Sequence, residues 1–508
     1  MRGPSSSHTA AANRIGRLCR DLAGGELRRA VVEYDPNGSL VTTHESQGSD
    51  MGLYAGFLGW ECDDPRLPDY RRHIEASGPM IQVRHIPYGA THPNTYRLTI
   101  DDTSSQRHSM LALSTGGGMI DVIAIDNAAV RIAGDYFEML VYLTSAADAE
   151  SLRPSVAASA NAQNIQFCAC DSPFLRISTR QMPTATSLDA LRADPRVRQV
   201  RVLRPVLPVL SQNVVEVPFH TAQTMLAWNQ RRSLALWELA AEYECARGGI
   251  TRDPVFAKTR DVLRVMESAV KTGLAGTEYP DRILPCQSVR FVERQASGRL
   301  IAGDVFNRII AYVSAIMEVK SSMGVIVAAP TAGSCATLPG ALLAVADILG
   351  KDEQERIHAL LVAGLIGVFI ATRATFSAEV GGCMAECGSA SGMAAAALAA
   401  LAGGNLHQQL AAASMALQNS FGMTCDPVAN RVEAPCLGKN VMAAVNALAC
   451  ANMALADYKH LVPLDEVLQA MDQVGKSLPR ELRCTGLGGL SVAPASRQIA
   501  QAFAAARS

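Results

Sequence analysis

Phe137-Glu-Met-Leu-Val-Tyr-Leu143 and, further on, Val197-Arg-Gln-Val-Arg-Val-Leu203 are two apolar, β-type runs that bracket the most legible order of elements in the chain. Between them lie a helical pattern at 147–160, two strand-like runs within 164–180 and a second helical pattern at 186–193. The order β-α-β-β-α-β is ferredoxin-like, the layout of small regulatory domains, and predicts such a domain over 131–210. Working outward, residues 1–130 mix short β-runs, Ala30-Val-Val-Glu-Tyr34 and Tyr96-Arg-Leu-Thr-Ile100, with helical stretches and a turn signal at Pro36-Asn37-Gly38. They predict a small α+β domain. Pro205, Pro208 and the polar Ser211-Gln212-Asn213 read as a linker. From about 215 onward Ala, Leu, Met and Gly dominate with helical spacing, as in 221–247, 303–319, 354–372, 389–402 and 438–456. The region 215–508 is therefore expected to be all-α, and the fold class is α+β multidomain.

A chain of 508 residues exceeds one compact core. The formal charge of -1, with 18% charged residues and no long run of one sign, favours neither nucleic acid nor an anionic membrane. The expected partner is a small molecule. The N-terminus lacks the apolar core of a secretion signal, and the Ala-rich stretches are interrupted by Gly, Pro and charged residues, so a cytoplasmic protein is expected. Thirteen cysteines, an odd number scattered through apolar helical contexts, do not make a disulfide framework.

Three groups of residues carry possible chemistry. Cys383, Cys425 and Cys436 stand in Gly-Gly-Cys383-Met-Ala-Glu386, Thr424-Cys425-Asp426-Pro427 and Glu433-Ala-Pro-Cys436. Thiolates are soft ligands, and three of them can hold an iron-sulfur cluster with one iron open; buried packing cysteines at helix contacts are the alternative. Ala329-Pro-Thr331-Ala332-Gly333-Ser334-Cys335 precedes a helix, and free backbone N–H groups at such a helix start bind a carboxylate or phosphate; a tight interhelical turn is the alternative. Gly3-Pro-Ser5-Ser6-Ser7-His8-Thr9 offers hydroxyls and an imidazole, able to hold an anion and move a proton, or a simple helix cap.

Taken together and in this order, these motifs resemble the iron-sulfur-dependent L-serine dehydratases, in a form whose domains are fused in one chain. His92-Pro-Asn-Thr95 followed by Gly116-Gly-Gly118, and Thr485-Gly486 with Gly488-Gly-Leu490, extend the resemblance over nearly the whole length. It implies a [4Fe-4S] cluster on Cys383, Cys425 and Cys436 and β-elimination of water from L-serine, giving pyruvate and ammonia. His8 is the implied base or proton relay. Ser5, Ser6, Ser7 and Thr9, with Thr331, Ala332, Gly333 and Ser334, are expected to hold the substrate carboxylate and amino group. Glu379 and Glu386 bracket Cys383 and could orient a ligand or the substrate ammonium, whereas Asp426 suits loop shaping. Cys335 and Cys387 read as packing residues. A homodimer is expected.

Three departures from the family pattern stand out. Lys320 replaces an amide in Glu318-Val-Lys320-Ser-Ser-Met-Gly324, Gln47 stands where His-Gly-Thr-Asp is common, and Cys484 stands where a Glu usually precedes Thr-Gly. A Lys320 that faces the substrate would favour an added acidic group. The competing readings are accordingly threonine, cysteine or an acidic 3-hydroxy amino acid as substrate, or a non-catalytic ACT-type sensor.

Overall fold

The computed structural model describes residues 1–160, 162–207 and 216–507. Pro208 and the Ser211-Gln212-Asn213 part of the expected linker lie outside the described residues. The protein is mixed α+β, with its sheets in the N-terminal part and a helical C-terminal part. It divides into a sheet-bearing unit, residues 8–45 and 49–215, and a helical unit, residues 1–7, 46–48 and 216–508.

The sheet-bearing unit contains a six-stranded sheet. Its order is Met80–His85, Leu27–Tyr34, Thr95–Asp102, Arg107–Gly116, Met119–Ile125 and Ala128–Ile132. Only the first pair is parallel, because the chain from Tyr34 to Met80 crosses over through helices; the last four strands follow one another as hairpins. Ala30, Val32 and Tyr34 are buried at period two along their strand, and a register shift between Leu27 and Arg29 brings Leu27 into the core as well. Helices Ser6–Leu22 and Ser49–Phe57 touch backbone to backbone through glycines. A Cβ on Gly52 would lie 2.0 Å from Thr9 O, and one on Gly56 2.3 Å from Asn13 O, so neither position accepts a side chain.

A second, antiparallel sheet runs Val197–Leu203, Phe137–Leu143, Phe174–Thr179, Asn164–Cys168, with helices Ala149–Ala160 and Ala185–Ala193 between its strands. Met139, Val141 and Leu143 pack with Leu152, Val156, Leu188 and Leu191, whereas Leu140 and Tyr142 join the core of the first sheet. Burial on both faces explains why this strand reads as a continuous apolar run rather than an alternation. The buried Glu138 is held at 2.9 Å by Arg176 and accepts from Ser178 Oγ at 2.8 Å.

In the helical unit, Ser389–Leu401 is buried over almost its whole length, and Thr337–Ile348, Glu353–Arg373, Leu406–Gln418 and Cys436–Leu455 pack around it. Its run of Ala and Gly is what lets four neighbours approach one axis. The helix expected over 221–247 is two helices, Ala222–Asn229 and Leu236–Gly248. The Asn229 side chain both donates to Leu234 O (2.9 Å) and accepts from Leu234 N (2.9 Å), replacing helical hydrogen bonds with a local turn in which Ser233 has φ +54°. Glu353–Arg373 and Ala378–Leu401 are long and apolar enough to cross a membrane, but 61% and 89% of these spans are buried within the fold, as in core helices.

Candidate active site

Helix Ala378–Cys383 delivers Cys383 to the site and continues as a π-turn over Met384–Gly388. The wider turn changes the side-chain phase along the helix, a distortion that recurs at functional sites. Cys425 reaches the site from a loop fixed by backbone pairing, with Cys425 N donating to Leu482 O at 2.8 Å and Cys484 N donating to Cys425 O at 2.9 Å. Cys436 opens helix Cys436–Leu455.

Ligand atoms of Cys383, Cys425 and Glu386 lie within 4.8 Å of one another, a group that could hold a metal ion. Cys387 and Cys425 both hydrogen-bond to the Cys383 sulfur, which holds the Cys383 thiol well below its ordinary range and pushes those of its two partners well above theirs. Cys484 in turn bonds Cys425. Cys436 is buried and feels the charge of Cys383, but it is outside the close group, and burial pushes its thiol up. Lys439, one helical turn from Cys436, donates to Asp426 Oδ1 at 2.8 Å and to Thr424 O at 2.6 Å. Although burial opposes it, the charge of Cys383 keeps the Lys439 ammonium above its ordinary value. Asp426 also accepts from Leu490 N at 3.0 Å, tying the cysteine loop to the Gly488-Gly489-Leu490 segment. Cys335 packs beside Met317 in the core, apart from this chemistry.

The 329–335 loop is buried against the same group. Thr331 Oγ1 donates to Glu386 at 2.5 Å, and Thr331 and Ser334 bond each other through side chain and backbone. A Cβ on Gly333 would lie 2.5 Å from one Glu386 carboxylate oxygen and 2.6 Å from the other, so this position must be glycine for the carboxylate to rest there. Burial, and after it the Cys383 sulfur, push Glu386 up to about 8. The amides expected to be free at the helix start are occupied: Asn440 Oδ1 accepts from Ala336 N and Thr337 N, and Ala332 N donates to Ser7 Oγ at 2.6 Å. Asn440 Nδ2 also donates to Gly333 O at 2.7 Å, so one side chain fastens the loop to the start of the helix that follows it.

Ser5, Ser6, Ser7 and Thr9 are buried, and the Ser6 hydroxyl is committed to Gly3 O. His8 follows Ser7 in helix Ser6–Leu22. Glu379 is buried and accepts from Ser377 Oγ at 2.7 Å. Lys320 is wholly buried, its Nζ donating to Val432 O. Two of the departures touch each other: Gln47 Nε2 lies 3.4 Å from Cys484 Sγ, and Gln47 Oε1 has no partner among the described residues.

Sequence reasoning did not single out Lys439 and Asn440, and it set Cys387 and Cys484 aside. Helical spacing from Cys383 and Cys436 was the available signal for three of them, since residues three or four apart share a helix face. Nothing local marks Cys484.

The family model for the serine dehydratase alpha chain matches residues 231–491. The chain belongs to this family. A probable L-serine dehydratase alpha chain of Bacillus subtilis is 36% identical over 281 residues, 55% of this chain and 94% of that protein. An L-serine dehydratase alpha chain of Peptoniphilus asaccharolyticus is 37% identical over 285 residues, 56% of this chain and 98% of that protein. The L-serine dehydratase of Streptomyces coelicolor matches at 28% identity over 96% of both chains, so in that serine dehydratase the likeness extends beyond the alpha-chain region. The members are lyases, and the cysteine group described above belongs to the family-matched region.

Proposed function

We propose that this protein is an L-serine ammonia-lyase that holds a [4Fe-4S] cluster on Cys383, Cys425 and Cys436. The observation that carries the reading is the convergence of Cys383 and Cys425 with Glu386 beneath the Thr331 loop, inside the region matched by the family. The donor set suits the group, because it offers buried soft sulfur ligands, two of them already in contact, with the Lys439 cation alongside to offset thiolate charge. When bound, the cluster would supply a Lewis-acidic iron for the departing β-hydroxyl.

The chain's own residues do the rest. Thr331, Ala332, Gly333 and Ser334, with Ser5, Ser6, Ser7 and Thr9, position the amino acid, and the bond from Ala332 N to Ser7 Oγ supports treating the two segments as one cradle. His8 takes or relays the Cα proton, in keeping with its place beside Ser7. The released aminoacrylate tautomerises and hydrolyses to pyruvate and ammonia in solution. The bond from Lys320 Nζ to Val432 O supports serine over a substrate bearing a second acidic group. The domains are read as a serine dehydratase beta-type domain at 1–130, an ACT-like domain at 131–210 and the catalytic domain at 215–508, in a cytoplasmic homodimer.

Iron and sulfide analysis of anaerobically reconstituted protein, with pyruvate release from L-serine, tests this reading. Wild type is expected to carry the cluster and to deaminate serine ahead of threonine and cysteine. Cys383→Ala, Cys425→Ala and Cys436→Ala are each expected to lose the cluster. Three variants that all keep a full cluster would overturn the ligand assignment.

A further inference from the structure

We propose that Glu386 takes the ammonium group of the amino-acid substrate, its carboxylate held ready by Thr331 and Gly333. The inference rests on the serine reading above and adds a contact to it. From Gly381 to Ala399, Glu386 is the one residue that is not buried, although it sits on a helix otherwise enclosed by the core. Its carboxylate lies against Thr331 and Gly333 of the loop and beside the sulfur group rather than in the apolar core.

Acidic groups outnumber the cations acting on it. Cys383 and Glu379 act on Glu386 from the acidic side, and thiolates bound to metal would keep that sign. The two nearby cations are already engaged, Lys320 with Val432 O and Lys439 with Asp426 and Thr424 O. An arriving ammonium would favour the ionised form of this carboxyl and pair with it through a charge-assisted hydrogen bond. Geometry fixes where that happens. Thr331 Oγ1 donates to Oε1, and the carboxylate rests on the bare Cα of Gly333, so the carboxylate is pinned while the substrate-binding loop lies directly against it. The amino acid then has three distinct points of attachment: the Ser5 to Ser7 segment for its carboxylate, the sulfur group for its β-hydroxyl and Glu386 for its ammonium. Three points also select one hand at Cα.

The test compares two ligands by calorimetry on anaerobically reconstituted full-length protein: L-serine, and L-glycerate, in which a hydroxyl replaces the amino group. Glu386→Gln removes the charge and keeps the size. L-serine affinity is expected to fall about 10- to 100-fold, the range for losing a hydrogen bond between charged groups, while L-glycerate affinity changes by less than about 3-fold. The preference for L- over D-serine is expected to shrink with it. Equal weakening of both ligands, or an unchanged affinity for serine, overturns the proposal. Thr331→Val, which frees the carboxylate to swing, is expected to weaken serine selectively as well. If Glu386→Gln arrives without iron and Thr331→Val leaves serine affinity unchanged, the proposal fails and Glu386 belongs to cluster support. A wild type that binds neither ligand overturns the serine reading and this contact together; one that binds and deaminates serine, without the selective loss in the variant, overturns this contact alone.

Discussion

The contact between Gln47 and Cys484 joins two positions that each depart from the family pattern, which makes them one change rather than two. Where the pattern has an imidazole and a carboxylate, this chain has an amide and a thiol, both buried, so the pair loses its charge as a unit. Introducing Glu at 484 alone would bury a carboxyl beside an amide and the Cys425 thiol, and introducing His at 47 alone would set an imidazole against a thiol. Each single substitution is expected to destabilise the protein, and the double variant, Gln47→His with Cys484→Glu, to be more stable than the sum of the two by about 0.5–3 kcal/mol in anaerobic urea titrations. Additivity within about 0.5 kcal/mol would show that the two departures are independent. This pair also marks where reading the sequence stops. The Cys383, Cys425 and Thr331 segments announce themselves by their small-residue and cysteine motifs, but positions 47 and 484 meet only through the tertiary fold, and no local pattern connects them. Cys387 was nearer to hand, one helical turn from Cys383, yet an i, i+4 cysteine on an apolar helix is equally a packing residue.

At the scale of elements, most of the strands and helices follow from periodicity, because each has one face or both faces to bury. The exceptions have side-chain causes. Asn229 ends a helix that apolar spacing alone would continue, and the π-turn after Cys383 needs an extra residue per turn that no repeat in the sequence announces. The turn at Pro36-Asn37-Gly38 was legible, whereas the reach of Asp35 before it was not. The Asp35 carboxylate accepts from Asn37 N at 2.9 Å and also, at 3.0 Å each, from Tyr88 N and Ala90 N, so it fastens the end of one strand to the segment following its parallel neighbour. These backbone donors hold it down to about 2. A carboxyl lowered in the folded state contributes stability that is present above the ordinary carboxylate range near pH 4 and is lost as pH falls through about 2. Asp35→Ala is expected to cost on the order of 1–3 kcal/mol at pH 7, and its urea midpoint to approach that of wild type as pH is lowered from about 5 toward 2. A difference that stays constant across that range would remove Asp35 from the acid sensitivity of the fold.

On the scale of the whole molecule, the division of the chain does not follow its linear order. Residues 1–7 and 46–48 belong to the helical unit, although the segment between them builds the sheet-bearing one. Ser7 and Gln47, which meet Ala332 and Cys484, are both in those borrowed pieces. The helical unit therefore depends on sequence from the far end of the chain to complete its site, whereas the alpha chains of Bacillus subtilis and Peptoniphilus asaccharolyticus match only about half of this protein. The continuous contact of sulfurs from Cys387 through Cys383 and Cys425 to Cys484 bears on how this protein survives air. With the proposed cluster in place, dioxygen that strips it would leave neighbouring thiols that need little movement to join, two of them losing two electrons and two protons to dioxygen as a disulfide forms. Damage then outlasts the missing iron. Protein bleached in air is expected to regain serine deamination when ferrous iron and sulfide are supplied after dithiothreitol, and to recover several-fold less when they are supplied without it. Equal recovery in both arms would mean that the thiols stay reduced and that metal loss is the whole injury.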